Sequence, residues 1–324
     1  MKAPNNSRTQ AVTDCSVYRN DPPLHRRSTD WIGLFWLLFV GLTVFTLCLP
    51  FVHSIALGDE GVLLHGAERL LKGQRLYIDF FEFLPPGGFV IMAAWFGFTG
   101  MSIWSARLLA ILIITGIACF TYLACRQVSK HSLLCALVAI GWAVTSQGFW
   151  TQISHHWFTT LLSMTGIAAG AAAMVTPTRG ALAMLAATTG FVGSRRQRTK
   201  LIAYVLGSTL VPICLLAYVI GQGALAAAFD DVILFTATQY SSIQSVPFAY
   251  TPFGGNDQNR PLKYLFPLVA LLTLVTCIRD WWRSFHDPLF RTCVAFGLAG
   301  FIGCFPRPDM RVLSPLWRLW FAPC

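Results

Sequence analysis

"WIGLFWLLFVGLTVFTLCLPFVH" (Trp31–His53) contains no Asp, Glu, Lys or Arg. At 1.5 Å per residue a helix of about 20 apolar residues crosses the hydrocarbon core of a bilayer. The rest of the chain has the same character. Of its 324 residues 55% are hydrophobic and only 12% charged, with mean hydropathy +0.58. A soluble domain carries roughly a quarter charged residues. In lipid each backbone N–H and C=O must find its partner within the protein, which favours helices. The expected fold is therefore all-α, a polytopic transmembrane helical bundle.

Orientation follows from charge. Residues 1–30 are polar and hold Lys2, Arg8, Arg19, Arg26 and Arg27. They read as a disordered tail kept in the cytoplasm, with 31–53 a retained anchor rather than a cleaved signal peptide. Lys and Arg exceed Asp and Glu by 24 to 14. The excess is scattered between apolar runs, which suits cytoplasmic loops and excludes a nucleic-acid face.

Further apolar runs follow at 89–98, 103–125, 132–149, 157–175, 180–193, 201–221, 262–278 and 288–305. They imply about eight or nine membrane helices. Basic clusters at 125–131, 194–200 and 279–291 should all face the cytoplasm. With 89–98 too short to span, the first cluster lands inside and "TQISHHW" (151–157) outside. Two crossings at 157–175 and 180–193 would then place "SRRQRTK" (194–200) outside, against the rule. One of those runs does not cross, or a helix is missing.

The loop after the first span, "ALGDEGVLLHGAERLLKGQRLYIDFFEFLPPGGF" (Ala56–Phe89), holds five of the 14 acidic residues. Leu63, Leu64, Ala67, Leu70 and Leu71 recur at helical spacing, so the spacing predicts an amphipathic surface helix ending at Gly73. Asp59 and Glu60 fall at its start. Carboxylates there complement the helix dipole, and they can also take a proton from an attacking hydroxyl or amine. Asp79 and Glu82 lie among Tyr77, Phe80, Phe81 and Phe83, where a charge either reaches water or holds a partner. Pro85–Pro86 excludes a helix through that point.

Other candidates sit at span ends. Arg107 either snorkels to the interface or pairs with Asp79, Glu82 or a lipid phosphate. His155 and His156 either cap a helix or donate to a sugar or phosphate. Arg307 and Asp309 in "FPRPDMR" form an interfacial salt bridge, or Arg307 binds phosphate. The ten cysteines show no C-x-x-C and no zinc spacing, and no metal site is expected from them. "GQGALA" (221–226) follows no strand, so a dinucleotide site is excluded.

"DEGVLLHGAERLLKGQRLYIDFFEFLPPGGF", with the later "FG" and "AR", resembles the first outer loop of GT-C glycosyltransferases. The similarity is to the branch of protein O-mannosyltransferases and lipid A aminoarabinose transferases. "SHHW", "FDDVILFTATQYS" and "FPRPD" resemble later segments, and the likeness extends over most of 31–310. It implies a sugar donor on a polyprenyl phosphate and a lipid, glycan or protein acceptor. It also implies an inverting reaction on the extracytoplasmic side of a bacterial inner membrane. Asp59 takes the catalytic carboxylate position with Glu60 beside it. Asp79, Glu82, Arg107, His155, His156, Arg307 and Asp309 become substrate and lipid-phosphate contacts. No cofactor is implied, although two adjacent carboxylates at Asp59 and Glu60 can hold a divalent cation. Three units follow: the tail 1–30, a transmembrane domain 31–310, and a short irregular end 311–324. The rivals are a non-catalytic lipid-handling protein or transporter, and an inactive truncated copy.

Overall fold

A computed structural model describes residues 31–53, 60–147, 152–164, 169–191, 195–244 and 286–302, with isolated positions between 268 and 279. Among these the fold is all-α, with no strand beyond one isolated bridge, Leu76 to Phe80. Among the described residues, three helices are long and apolar enough to cross a membrane: Trp31–Cys48, Ile103–Gln127 and Thr199–Gly221. The chain is an integral membrane protein.

α1 (Trp31–Cys48) and α4 (Ile103–Val128) pack together, and α5 (Ser132–Gln147) packs on both. The contacts are small. Gly41 of α1 faces Thr115 and Cys119 of α4, so the backbones approach closely, as lipid-embedded helices require. The buried Tyr122 hydroxyl donates to Gly33 O at 3.0 Å, tying the two spans near one end. Outward residues such as Trp31, Phe35, Leu38 and Leu42 are exposed, a surface that only lipid covers without cost.

α2 (Glu60–Leu71) and α3 (Gly87–Thr99) form a layer against one end of this bundle. α2 buries Leu63, Gly66 and Ala67 and leaves Leu71 exposed, as its spacing predicts. Gly73 has φ +81°, the left-handed stop that glycine supplies. α3 starts directly after the double proline, with Pro86 as its cap residue. Gly87 is required there, since a Cβ on it would meet Met174 O at 2.5 Å, and Gly88 packs closely on the Leu63 side chain, which a Cβ would meet at 3.2 Å.

The described parts of 157–200 bear on the conflict between hydropathy and charge. α6 (His155–Met164) and α7 (Ala169–Ala173) are not one crossing helix. A straight helix would hold Thr159 and Thr176 about 25 Å apart. Their hydroxyls are 2.8 Å apart, and Arg179 Nη1 is 3.1 Å from His156 Nδ1. The chain folds back between them, bringing 155–159 and 176–179 together. α8 (Pro177–Thr188) therefore begins where α6 began, and α9 (Arg195–Gly221) starts from the opposite end. Met184 O of α8 accepts from the Tyr204 hydroxyl of α9 at 3.4 Å. A run that folds back in this way does not make a single straight crossing, which is one of the two outcomes the charge pattern allowed.

After α9 come α10 (Leu225–Ala228), two wide-turn π segments (Phe229–Leu234 and Thr236–Tyr240) and α11 (Ser241–Gln244). α12 (Pro288–Ile302) packs on α8, with Arg291 Nε donating to Thr189 O at 3.3 Å. Most of the run 262–278, and everything after Ile302, lie outside the described residues.

Candidate functional site

Glu60 opens α2 and Arg107 lies in the first turns of α4, 47 residues later. Both are 6% exposed. Arg107 Nη2 donates to Glu60 Oε2 at 3.1 Å and Nε donates to Oε1 at 3.4 Å, a two-pronged grip on both oxygens. Nη1 donates to Val52 O. One guanidinium therefore holds the chain on both sides of residues 53–59. Of the partners the sequence offered Arg107, neither Asp79 nor Glu82 is its ion pair; Glu60 is. Asp59 itself lies outside the described residues, as do Arg307 and Asp309.

Asp79 closes a short loop. Its carboxylate accepts from Arg75 N at 2.6 Å and pairs with the Arg75 guanidinium at 3.5 Å. Those hydrogen bonds, the backbone one first, hold its carboxyl below the usual range. Arg69 donates to Asp79 O at 3.0 Å and lies 4.3 Å above the Phe80 ring. Tyr77 in the same loop has φ +69°, a strained value for an aromatic residue, and its hydroxyl donates to Leu84 O at 2.9 Å. This bend turns Phe81 onto Phe235, between the two π segments, and Phe83 onto Tyr240, at the end of the second, with ring centroids 5.1 and 5.4 Å apart.

Glu82 is carried to Asp231 by that stacking. Glu82 N donates to Asp231 Oδ2 at 3.5 Å, across 149 residues of sequence. Burial, and after it the Asp231 charge, push the Glu82 carboxyl up to about 7. Asp231 is raised as well, by partial burial and by Asp230. Near neutral pH Glu82 is therefore partly protonated.

His155 and His156 open α6, with ring centroids 3.9 Å apart. Ser154 Oγ accepts from His156 N at 3.3 Å and caps the helix, the role expected of a Ser there. His155 is buried, and burial with the Arg179 charge lowers it to about 3, so its ring is neutral. Arg179, between two apolar runs, and Gln152 had no sequence signal as site residues. Asp231 stood in the sequence only within "FDDVILFTATQYS".

Packing links these groups. Gly88 of α3 rests on Leu63 of α2, and Gly87 N donates to Met174 O at 2.9 Å in the turn before α8. The Glu82-bearing turn is thus clasped between the Glu60 helix and the His155–Arg179 head. Among the described residues no group of three or more His, Cys, Asp or Glu is placed to hold a metal ion.

No protein-family model matches the chain, and no curated protein matches it. A solved structure does: "Crystal Structure of ArnT from Cupriavidus metallidurans bound to Undecaprenyl phosphate", at 15% identity and TM-score 0.49. The match covers 90% of this chain and 59% of that one.

Proposed function

We infer that the chain is a membrane glycosyltransferase working at the extracytoplasmic face. It moves a sugar from a polyprenyl-phosphate donor to a lipid, glycan or protein acceptor. The observation that carries this reading is the Arg107 grip on Val52 O and Glu60. Asp59 is one peptide bond from Glu60, about 3.8 Å between Cα atoms. Arg107 thereby fixes Val52 and Glu60, which flank Asp59 in the sequence, at the end of a membrane span. There Asp59 meets a sugar whose lipid tail stays in the bilayer.

In this mechanism Asp59 accepts the proton of the acceptor hydroxyl or amine. The freed oxygen or nitrogen attacks the anomeric carbon from the face opposite the phosphate. The bond from carbon to phosphate oxygen breaks, the configuration inverts, and the lipid phosphate leaves with the electron pair. Glu60 acts as a positioning residue, because both its oxygens face Arg107. For the same reason the donor set does not fit a divalent cation shared by Asp59 and Glu60, since a guanidinium already occupies that charge. Glu82, with Asp231, supplies hydrogen-bond acceptors suited to sugar hydroxyls. Asp79 holds the loop that carries Glu82. Arg307 and Asp309 keep their proposed place at the lipid phosphate.

The test is transfer from a panel of radiolabelled polyprenyl-phosphate sugars by purified protein in detergent. Asp59→Asn should abolish transfer while expression, insertion and thermal unfolding stay as in the wild type. Wild-type turnover by that variant would remove the assignment. One feature favours a second reading: α6 and α7 form a broken pair that folds back, a device also found in transporters. A carrier without catalysis would show no labelled product from any donor in the panel.

A further inference from the structure

Arg69 lies in the last turn of α2, at the opposite end of the helix from Glu60. Its guanidinium reaches three partners on the loop that follows. Nε donates to Gln74 Oε1, Nη2 donates to Asp79 O at 3.0 Å, and Cζ lies 4.3 Å from the centre of the Phe80 ring. A planar cation that donates at its edge and stacks with its face is fixed in position and in orientation; a lysine ammonium would not be.

The loop depends on that grip. Tyr77 sits at φ +69°, a conformation that aromatic residues rarely adopt. The other hydrogen bonds of 75–84 stay within the loop, as between Arg75 and Asp79 and between Tyr77 and Leu84, or run from Glu82 to Asp231. Among the described residues, the hydrogen bond from α2 into 75–84 is the one that Arg69 makes. α2 is thus pinned at both ends. Arg107 holds Glu60 at its start, and Arg69 holds Asp79 and Phe80, just before Glu82, at its last turn.

Charge acts along with geometry. The charged groups acting on Glu82 are Asp231 from the first π segment and Arg69 from α2. Asp230 adjoins Asp231, and Tyr77 faces Glu82 from its own loop with Tyr218 of α9 near it. Burial first and the Asp231 charge second push the Glu82 carboxyl up, and Arg69 opposes both. It is the one cation in this group.

We propose that Arg69 is a positioning residue, which clamps the loop to α2 and so sets where Glu82 stands relative to the carboxylate end of that helix. Arg69 touches no reacting atom and acts through Glu82. Its bearing on the reaction rests on the glycosyl-transfer reading, in which Glu82 receives sugar hydroxyls.

The chain has three glutamates, Glu60, Glu68 and Glu82, so carbon-13 NMR of the full chain labelled at glutamate carboxyls can follow each across a pH series in detergent. Glu82→Gln identifies the Glu82 signal. Arg69→Gln should move the Glu82 midpoint upward, because a neutral amide no longer favours the charged form. Arg69→Lys keeps the charge and should leave the midpoint near that of the wild type, although the fork is lost. Transfer by Arg69→Gln should fall about a hundredfold, with Arg69→Lys in between. Gln74→Leu removes one tether and leaves the cation. It should move the midpoint upward by less, and serves if Arg69→Gln misfolds. An Arg69 that only stabilised the fold would lower the unfolding temperature on substitution and leave the Glu82 midpoint in place. An unmoved midpoint in folded Arg69→Gln overturns the proposal, as does one in Gln74→Leu where the first variant does not fold. If the midpoint moves but the wild type yields no labelled product from any donor, the reaction reading falls and the clamp stands. If the wild type transfers sugar and the midpoint does not move, the reverse holds.

Discussion

Arg107 and Glu60 are a buried ion pair, and such pairs have an asymmetric energetic signature. Removing one partner leaves a charge without water or counter-ion, whereas removing both leaves only a packing change. Arg107→Met should therefore destabilise the protein by about 3–5 kcal/mol, and the double change Arg107→Met with Glu60→Gln should recover most of that. Thermal unfolding in detergent reads both; equal loss in the single and double variants would mean that the pair is merely packed. Glu82 gives a second prediction. Its folded carboxyl titrates near 7, above its ordinary value of 4.5. The folded state therefore favours the protonated form. That contribution is complete below about pH 4.5 and is lost as pH rises through 7. Glu82→Gln, which cannot ionise, should match the wild type at low pH and exceed it in stability above pH 7. Unfolding temperatures of the two across pH 4 to 8 should diverge in that direction. Parallel curves would show that Glu82 is open to water.

At the scale of elements, α2 and the start of α3 were legible because both signals are local. A stripe of leucines at helical spacing buries one face, and a double proline stops a helix wherever it stands. The fold-back of α6 and α7 was not legible in this way. Hydropathy counts apolar residues and cannot distinguish a run that crosses from one that folds back with the same composition. The clue was indirect, a basic cluster on the wrong side of a simple count. Small residues make the fold-back feasible. Gly180 packs against the α7 backbone at Ala173, and Gly170 against the Ser208 carbonyl of α9, so closely that a Cβ at either would displace main chain. The arrangement predicts that 176–179 and 151–157 share one side of the membrane. Thr178 is exposed, so Thr178→Cys in a cysteine-free background should react with an impermeant maleimide from outside. Lys200→Cys should react only after the membrane is opened. Labelling of position 178 from the cytoplasm alone would refute that placement.

For the whole molecule, composition was sufficient for its class: an all-α membrane protein. Free energy of transfer into lipid acts on every residue by its type, so it can be read without knowing any contact. The acids beside the first span were equally visible in the sequence, along with their place at the start of a helix. Which groups answer them was decided only by the tertiary structure. Glu60 meets Arg107 across 47 residues, Glu82 meets Asp231 across 149, and His156 meets Arg179 across 23. Those meetings depend on how α3 is clasped between α2 and the turn before α8. Pairing at a distance is a property of packed surfaces, and no local pattern in the chain encodes it.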